Sequence, residues 1–359
     1  MSTERGRIEI TGFDPDRVRK RENLSDWVDE SESDPVSRWR RALRDFRRNR
    51  SAMFGFYVVV VMALIAFFAR PITVFGIPIQ PISLAPWDPS TTLFLQTDGA
   101  AFPWNLLPGF DQPDPTLSGY DAPTLQHPMG TDRETNDLMS RVMYGGRYSI
   151  SIGFVVVGLT SVVGVLYGAA AGYYGGWIDD LMMRFVDLVF AFPGLVLALI
   201  IVAVLGGGYW QLVAAFAIPG WAGYARLIRG EVLKVKENEY VMAAKALGAR
   251  DRTVILRHVV PNAITPVIVQ ATLSIGTVVI GVAALGFLGV GFTPDTAEWG
   301  TMLDQTRETL IRPGTTPWWA TIFPGMAIFI FVMCMNLIGD GINDALNAQE
   351  TVPTQGGGG

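Results

Sequence analysis

The chain holds two histidines, His127 and His258, and neither has a Cys or His neighbour at metal-site spacing. No G-x-x-x-x-G-K-[ST] run is present to cradle a nucleotide phosphate, and no G-x-S-x-G turn to expose a nucleophilic serine. The single cysteine, Cys334, lies inside an apolar run and packs there as a small hydrophobe. The glycine-rich LGFLGVG at 285–291 closes another apolar run, where glycines serve packing. The sequence thus predicts no catalytic residue, no metal ligand and no cofactor site, and so no enzyme. Its arginine clusters follow membrane topology, so nucleic-acid binding is not expected either. What remains is a polar stripe and one long charged stretch.

The stripe comprises Gln270, Ser274, Thr277 and Gly281, separated by four, three and four residues and therefore on one helix face. Polar side chains in an apolar helix face the protein interior or a water-filled path. Gln270, Ser274 and Thr277 are the candidate pathway-lining residues; bonds to neighbouring helices or to the helix's own carbonyls are the alternative. Thr160, Gly164, Gly168 and Gly172 recur every four residues and predict a close helix–helix contact, within the chain rather than between subunits. Arg184 and Asp187, three apart, can pair on one face, with Asp187 near a helix start, while Pro193 and Pro219 predict kinks. Asp340 and Asp344 fall at a solvated helix end.

The charged stretch, Lys236 to Asn262, reads KENEYVMAAKALGARDRTVILRHVVPN. Tyr240, Val241, Ala244 and Leu247 have helical apolar spacing, and Gly248 follows where a helix can stop in a left-handed turn. A second helix is predicted over Asp251 to Val259, ending at Pro261. Two short helices at a basic end of the molecule form a docking surface for a soluble partner.

The surrounding elements are those of a membrane protein. Half of the 359 residues are hydrophobic, 17% are charged and the mean hydropathy is +0.31. Six apolar runs, 52–69, 148–174, 185–206, 210–228, 264–288 and 318–338, are long enough to span a bilayer of about 30 Å. The first follows a long charged arm and reads as a retained anchor rather than a cleaved signal. Arg38, Arg40, Arg41, Arg44, Arg47, Arg48 and Arg50 precede it, and Arg226 to Arg257 fill the stretch after the fourth, whereas residues 71–132 contain no Lys or Arg. The positive-inside rule then puts the basic segments and both termini in the cytosol. Val36, Trp39, Leu43 and Phe46 predict an amphipathic helix on the membrane surface. The chain divides into a disordered arm (1–35), this helix with the first span (36–70), a proline-rich extracytoplasmic segment (71–146), a six-span core (147–346) and a flexible tail (347–359).

Several motifs resemble those of ABC-transporter permeases of the dipeptide/oligopeptide/nickel family. Met242-Ala243-Ala244, Gly248, His258, Val260 and Pro261 keep the spacing of the family's coupling loop, with Met242 where that signature has Glu. HPMGTDRETNDLMSRVMYGGR at 127–147 resembles the family's lead-in to the core, with Thr135 and Asn136 in place of Gly-Arg. AGYYGGWID, MRFVDLVFAFPG, WAGYARLIRGEV, LGFLGVG and NLIGDGINDAL continue the likeness in order to Leu346.

The resemblance implies an all-α membrane protein with six transmembrane helices of the type I ABC importer fold. It implies no enzymatic role for this chain, with ATP bound by partner subunits. Expected partners are a homologous permease in a heterodimer, two cytosolic ATPases and an external solute-binding protein, in the cell membrane. Glu239, Met242, Ala243, Ala244, Gly248 and Pro261 would form the ATPase-coupling contact. The solute would be a dipeptide or oligopeptide, with nickel chelates or another solute as alternatives within the family. An ATP-independent carrier is disfavoured because the spans lack buried charge, and a membrane-embedded enzyme because no reactive constellation is present.

Overall fold

The computed structural model describes residues 38–74, 77–80, 82–89, 91–93, 96, 100–101, 104–106, 117–311 and 317–347. The predicted disordered arm, the distal tail and Val36 lie outside them. Helix α1 (Arg38–Arg48) buries Ala42 and exposes Arg40, Arg41, Arg44, Arg47 and Arg48. The Asn49 side chain then accepts a bond from the Ala52 amide at 3.2 Å and starts α2 (Arg50–Phe68). Strands β1 (Ile72–Val74) and β2 (Ile77–Gln80) form a two-stranded antiparallel ribbon, a small addition to an otherwise helical molecule.

The core consists of α3 (Leu138–Tyr174), α4 (Gly176–Phe190), α5 (Gly194–Leu205), α6 (Tyr209–Val235), α7 (Glu239–Ala246), α8 (Asp251–Val254), α9 (Val260–Ala263), α10 (Thr265–Phe287), α11 (Trp299–Ile311) and α12 (Trp318–Asn347). By length and apolar content α2, α3, α10 and α12 can each cross a membrane, and α4 with α5 makes a fifth if the bent pair counts as one span. The predicted span 185–206 is therefore not one helix. Pro193 does more than kink it: the chain leaves the helix at 191–193 and the two parts meet at 79°. The predicted 210–228 lies within the 27-residue α6, which is long enough to span, but Gln211, Pro219, Arg226 and several glycines dilute its apolar character. Helix α3 begins at Leu138, before the predicted 148, because Asp137 caps it.

Small residues decide how these helices meet. The face of Thr160, Gly164, Gly168 and Gly172 lies against α6, the most extensive helix pair in the molecule. A β-carbon at Gly164 would stand 2.6 Å from the Trp221 carbonyl oxygen, and one at Gly168 would run into the Ala225 carbonyl. The predicted close contact is thus internal to the chain. Gly55 lets α2 approach the backbone of α12 at Cys334, which is buried. Outward-facing Phe54, Tyr57, Leu64 and Phe329 are exposed on α2 and α12, as suits a surface solvated by lipid.

Candidate functional site

The charged stretch folds into two arms around Gly248. Helix α7 is fixed from below by Val241, which is fully buried, while Glu239, Tyr240, Met242, Ala243 and Lys245 are exposed and Ala244 is half-buried. Leu247, just past the helix end, is 89% exposed. Gly248 has φ +82 and stops the helix: its amide bonds to the Lys245 carbonyl, and the Ala249 amide reaches back to the Ala244 carbonyl at 3.1 Å. A β-carbon there would meet nothing within 4 Å, so the demand for glycine is conformational rather than steric.

The second arm differs from expectation. Helix α8 is only Asp251–Val254, followed by a π-helical turn over Ile255–Val259, and Pro261 does not end it. Pro261 sits in the first turn of α9, where its missing amide hydrogen is not needed. The π turn resets the hydrogen-bond register and so admits the proline. Val254 and Val259 are buried and press this arm against the bundle.

Side chains tie the loop and the lower ends of the helices together. The Tyr173 hydroxyl donates to Asp251 Oδ1 at 2.6 Å, and Lys245 Nζ lies 4.2 Å from the Tyr173 ring centroid. Lys236 donates to the Gly172 carbonyl at 2.8 Å. Arg229 grips Asp179 with Nε and Nη2 at 2.6 and 2.7 Å, a two-pronged contact between a cation and a carboxylate. The expected Arg184–Asp187 pairing is absent. Asp187 sits in the last turn of α4, not at a helix start, and accepts instead from Arg226 of α6 at 2.6 Å. Arg226 is held there over the Phe190 ring, 4.3 Å from its centroid.

The stripe on α10 is only partly assembled. Gln270 and Thr277 are exposed and Ser274 is half-buried, while Gly281 is covered by Phe216. Gln270 Nε2 donates to Ser274 Oγ at 3.1 Å, and Thr277 Oγ1 bonds weakly to the Leu273 carbonyl at 3.4 Å. Thr277 also lines a cavity of about 450 Å³ with Phe190, Phe192, Pro219 and Gly220, between the α4–α5 bend, α6 and α10.

A second polar centre, on the other side of the bundle, escaped sequence reasoning. His127 Nδ1 and Asp137 Oδ1 are 2.8 Å apart, Ser140 Oγ donates to Asp137 Oδ2 at 2.6 Å and accepts from the Trp87 amide at 3.0 Å. Arg141 Nε lies 3.2 Å from Asp132 Oδ2, near enough for an ion pair although not aligned as a hydrogen bond. Asp132 accepts from the amides of Glu134 and Asn136 and from Asn136 Nδ2. Nearby, the buried Glu298 accepts from Ser149 Oγ at 2.8 Å and from the Thr301 amide at 3.0 Å, which caps α11. The three-residue step from Asp137 to Ser140 is a capping signal visible in the sequence; the pairing with His127 is a tertiary fact.

The chain has matches among known proteins. Residues 164–350 match the binding-protein-dependent transport system inner membrane component, and residues 37–108 match the N-terminal TM domain of oligopeptide transport permease C. The dipeptide transport system permease protein DppC of Alkalihalophilus pseudofirmus is 36% identical over 312 residues, 87% of this chain and 90% of that protein. The glutathione transport system permease protein GsiD of Shigella dysenteriae serotype 1 is 38% identical over 310 residues, 86% and 90% of the two chains. A solved chain of the MetNI methionine ABC transporter is 18% identical and aligns over 58% of this chain and 97% of its own, with a TM-score of 0.48. The chain belongs to the family of inner-membrane components of binding-protein-dependent transport systems. It is a membrane-embedded permease of an ABC importer.

Proposed function

We propose that this permease forms half of the translocation path for a dipeptide or other short peptide, paired with a homologous permease and driven by two cytosolic ATPases. Both named relatives are permeases for small peptides, which favours that cargo. In this reading α2, α3, the bent α4–α5 pair, α6, α10 and α12 are six spans, both termini are cytosolic, and α1 lies in the headgroup layer with its arginines toward anionic lipid. A solute-binding protein would deliver the peptide from outside. Gln270, Ser274 and Thr277 would border the path, next to the cavity at Thr277.

One observation carries the coupling role. Helix α7 is anchored by a single buried residue, Val241, and shows the remainder of its surface at the basic end of the bundle. Met242 stands where the resembling signature has Glu and makes the surface more apolar there, so the ATPase contact should be less salt-sensitive than a charged one. ATP-driven closure would push this helix and shift the bundle between outward- and inward-open states.

Gly248→Val tests the contact. Forcing a β-branched residue toward φ +82 should leave the spans inserted, yet weaken co-purification with the ATPase and lower transport. Normal ATPase binding and import by that variant would dismiss the assignment. Orientation and pathway are tested together by single cysteines in a Cys334→Ala background. Ser118→Cys should react with an impermeant thiol reagent from outside, Asn238→Cys only after permeabilisation, and Thr277→Cys with a small polar reagent. Reversed labelling of the first two overturns the topology, and an inert Thr277→Cys leaves that stripe to packing.

A further inference from the structure

We propose that Tyr173 is the positioning residue that fastens both arms of the coupling loop to α3, so that a push on α7 is delivered to the α3–α6 pair. The inference rests on the reading of α7 as the ATPase contact. It goes further in naming the route by which that contact reaches the spans.

Tyr173 stands in the last turn of α3 and is 6% exposed, yet its two ends serve different arms of the loop. Its hydroxyl holds Asp251, the first residue of α8, at 2.6 Å; its ring face carries Lys245, from the last turn of α7, at 4.2 Å. Gly248 lies between those two partners. One side chain therefore spans the hinge of the loop and sets the angle between its arms. A hydroxyl-to-carboxylate bond is charge-assisted and short, and so directional. Elsewhere the loop is held to the bundle largely by aliphatic contacts of Val241, Val254 and Val259, which resist separation but slide easily.

The other end of the route is rigid. Gly172, next to Tyr173, receives Lys236 on its carbonyl, and a β-carbon there would lie 3.0 Å from the Arg229 carbonyl of α6. From Gly172 to Thr160 the small-residue face keeps α3 against α6 with no room for sliding. A displacement of Tyr173 must therefore move α3 and α6 as one body. Packing alone would be met by phenylalanine. The hydroxyl, reaching out of a buried site to an exposed loop residue, is what a positioning role requires.

Tyr173→Phe keeps the ring, its burial and the cation–π contact and removes only the bond to Asp251. The experiment uses the whole complex, co-expressed with its ATPases and reconstituted in lipid nanodiscs. In the wild type, trapping with ATP and vanadate should change the reactivity of Thr277→Cys (in Cys334→Ala). In Tyr173→Phe that change should fall several-fold, and amides 249–254 should exchange at least about ten-fold faster in the nucleotide-free complex. Basal ATP hydrolysis and the amount of bound ATPase should stay as in the wild type. Asp251→Ala should reproduce the defect and Asp251→Asn, which keeps an acceptor oxygen, should largely restore the response. The double variant Tyr173→Phe/Asp251→Ala should be no worse than either single change. An unchanged vanadate response in Tyr173→Phe overturns the proposal, and so does loss of bound ATPase, which would make the residue part of the docking surface or the fold. A wild-type complex that binds no ATPase through α7 would instead overturn the underlying reading.

Discussion

At the Leu138 end of α3, the outer one in the proposed topology, His127, Asp132, Asp137 and Arg141 have side chains 4% exposed or less, and each sits against a polar partner. At the opposite end, the inner one in that topology, Arg226 and Asp187 pair at 2.6 Å but remain 53% and 65% exposed, and Arg229 is 32% exposed above Asp179. Both ends use ion pairs and hydrogen bonds, in different dielectric surroundings. A charge removed from water must be matched in place, so the outer knot holds one geometry and penalises any other. A charge still in water exchanges partners at little cost. The outer end is thus built as a fixed frame, and the inner end as a surface whose parts can move. That division suits the device proposed above, which is pushed from the cytosol and docked by a protein outside.

The largest effect that could break this comparison is at Arg141. Its Nε faces Asp132, and its two terminal nitrogens reach the Pro89 and Pro294 carbonyls at a long 3.5 Å. Most of its contribution is therefore charge pairing in a dry site rather than good hydrogen bonds. Arg141→Met keeps the volume and strands the Asp132 carboxylate, and should destabilise the protein by about 3 kcal/mol. Cys334, 1% exposed, reports the transition, since a thiol-reactive dye labels it only on unfolding. A melting curve equal to the wild type would show that the knot is open to water and the frame reading mistaken.

Much of the local structure around the bundle is legible in the sequence, and its buried polar centre is not. Thr160 to Gly172 announced the α3–α6 contact because a four-residue step of small side chains has one structural use. Gly248 announced its turn because helix periodicity stops there, and its φ of +82 agrees. Pro261 misled: a proline normally ends a helix, and the π turn that accommodates it depends on backbone register, which leaves no mark in residue type. The Arg184–Asp187 spacing fitted a local pair, but Arg226 from another helix won, aided by the Phe190 ring. His127 and Asp137 share one motif in the sequence, but their bond, the Trp87 amide on Ser140 and the Ser149 hydroxyl on Glu298 are set only by the fold. Local rules read helices and turns well. They miss buried polar groups, whose meaning is tertiary.

A smaller effect sharpens the picture of the frame. Thr135 has φ +63, a left-handed backbone that β-branched residues avoid, and it stands where the resembling permeases carry glycine. Its backbone is held by the Asp132 carbonyl and by the Leu93 amide. Relief of about 1–2 kcal/mol in the left-handed region, less roughly 0.4–1 kcal/mol for glycine's greater freedom when unfolded, leaves a gain of about 0.5 kcal/mol for Thr135→Gly. The same Cys334 labelling melt should move upward slightly. A clear downward shift would mean that the threonine side chain, 5% exposed, packs better than the backbone suffers.

The smaller of the two losses is expected at Arg226, and its smallness is the point. The Arg226–Asp187 distance equals the shortest in the inner lattice, so geometry alone would rank it with the buried pairs. Exposure says otherwise: both side chains are more than half open in the isolated chain, and Phe190 beneath the guanidinium is itself 49% exposed. Exposed pairs contribute about 0–1 kcal/mol, and an exposed cation–π contact about 0.5–1 kcal/mol. Arg226→Gln should therefore cost the isolated permease about 0.5–2 kcal/mol, and added salt should shrink the difference because the Debye length falls to about 3 Å at 1 M. The α4–α5 bend that carries Phe190 also presents Leu188, Phe192 and Leu195 to the surface, an apolar face where a second permease could sit. If the same substitution costs several times more in the assembled complex than in the isolated chain, that face is covered on assembly and the pair has become a buried one. An equal, salt-sensitive cost in both states would place Arg226 outside the subunit contact. A large, salt-insensitive cost in the isolated chain would erase the contrast between the two ends of the bundle.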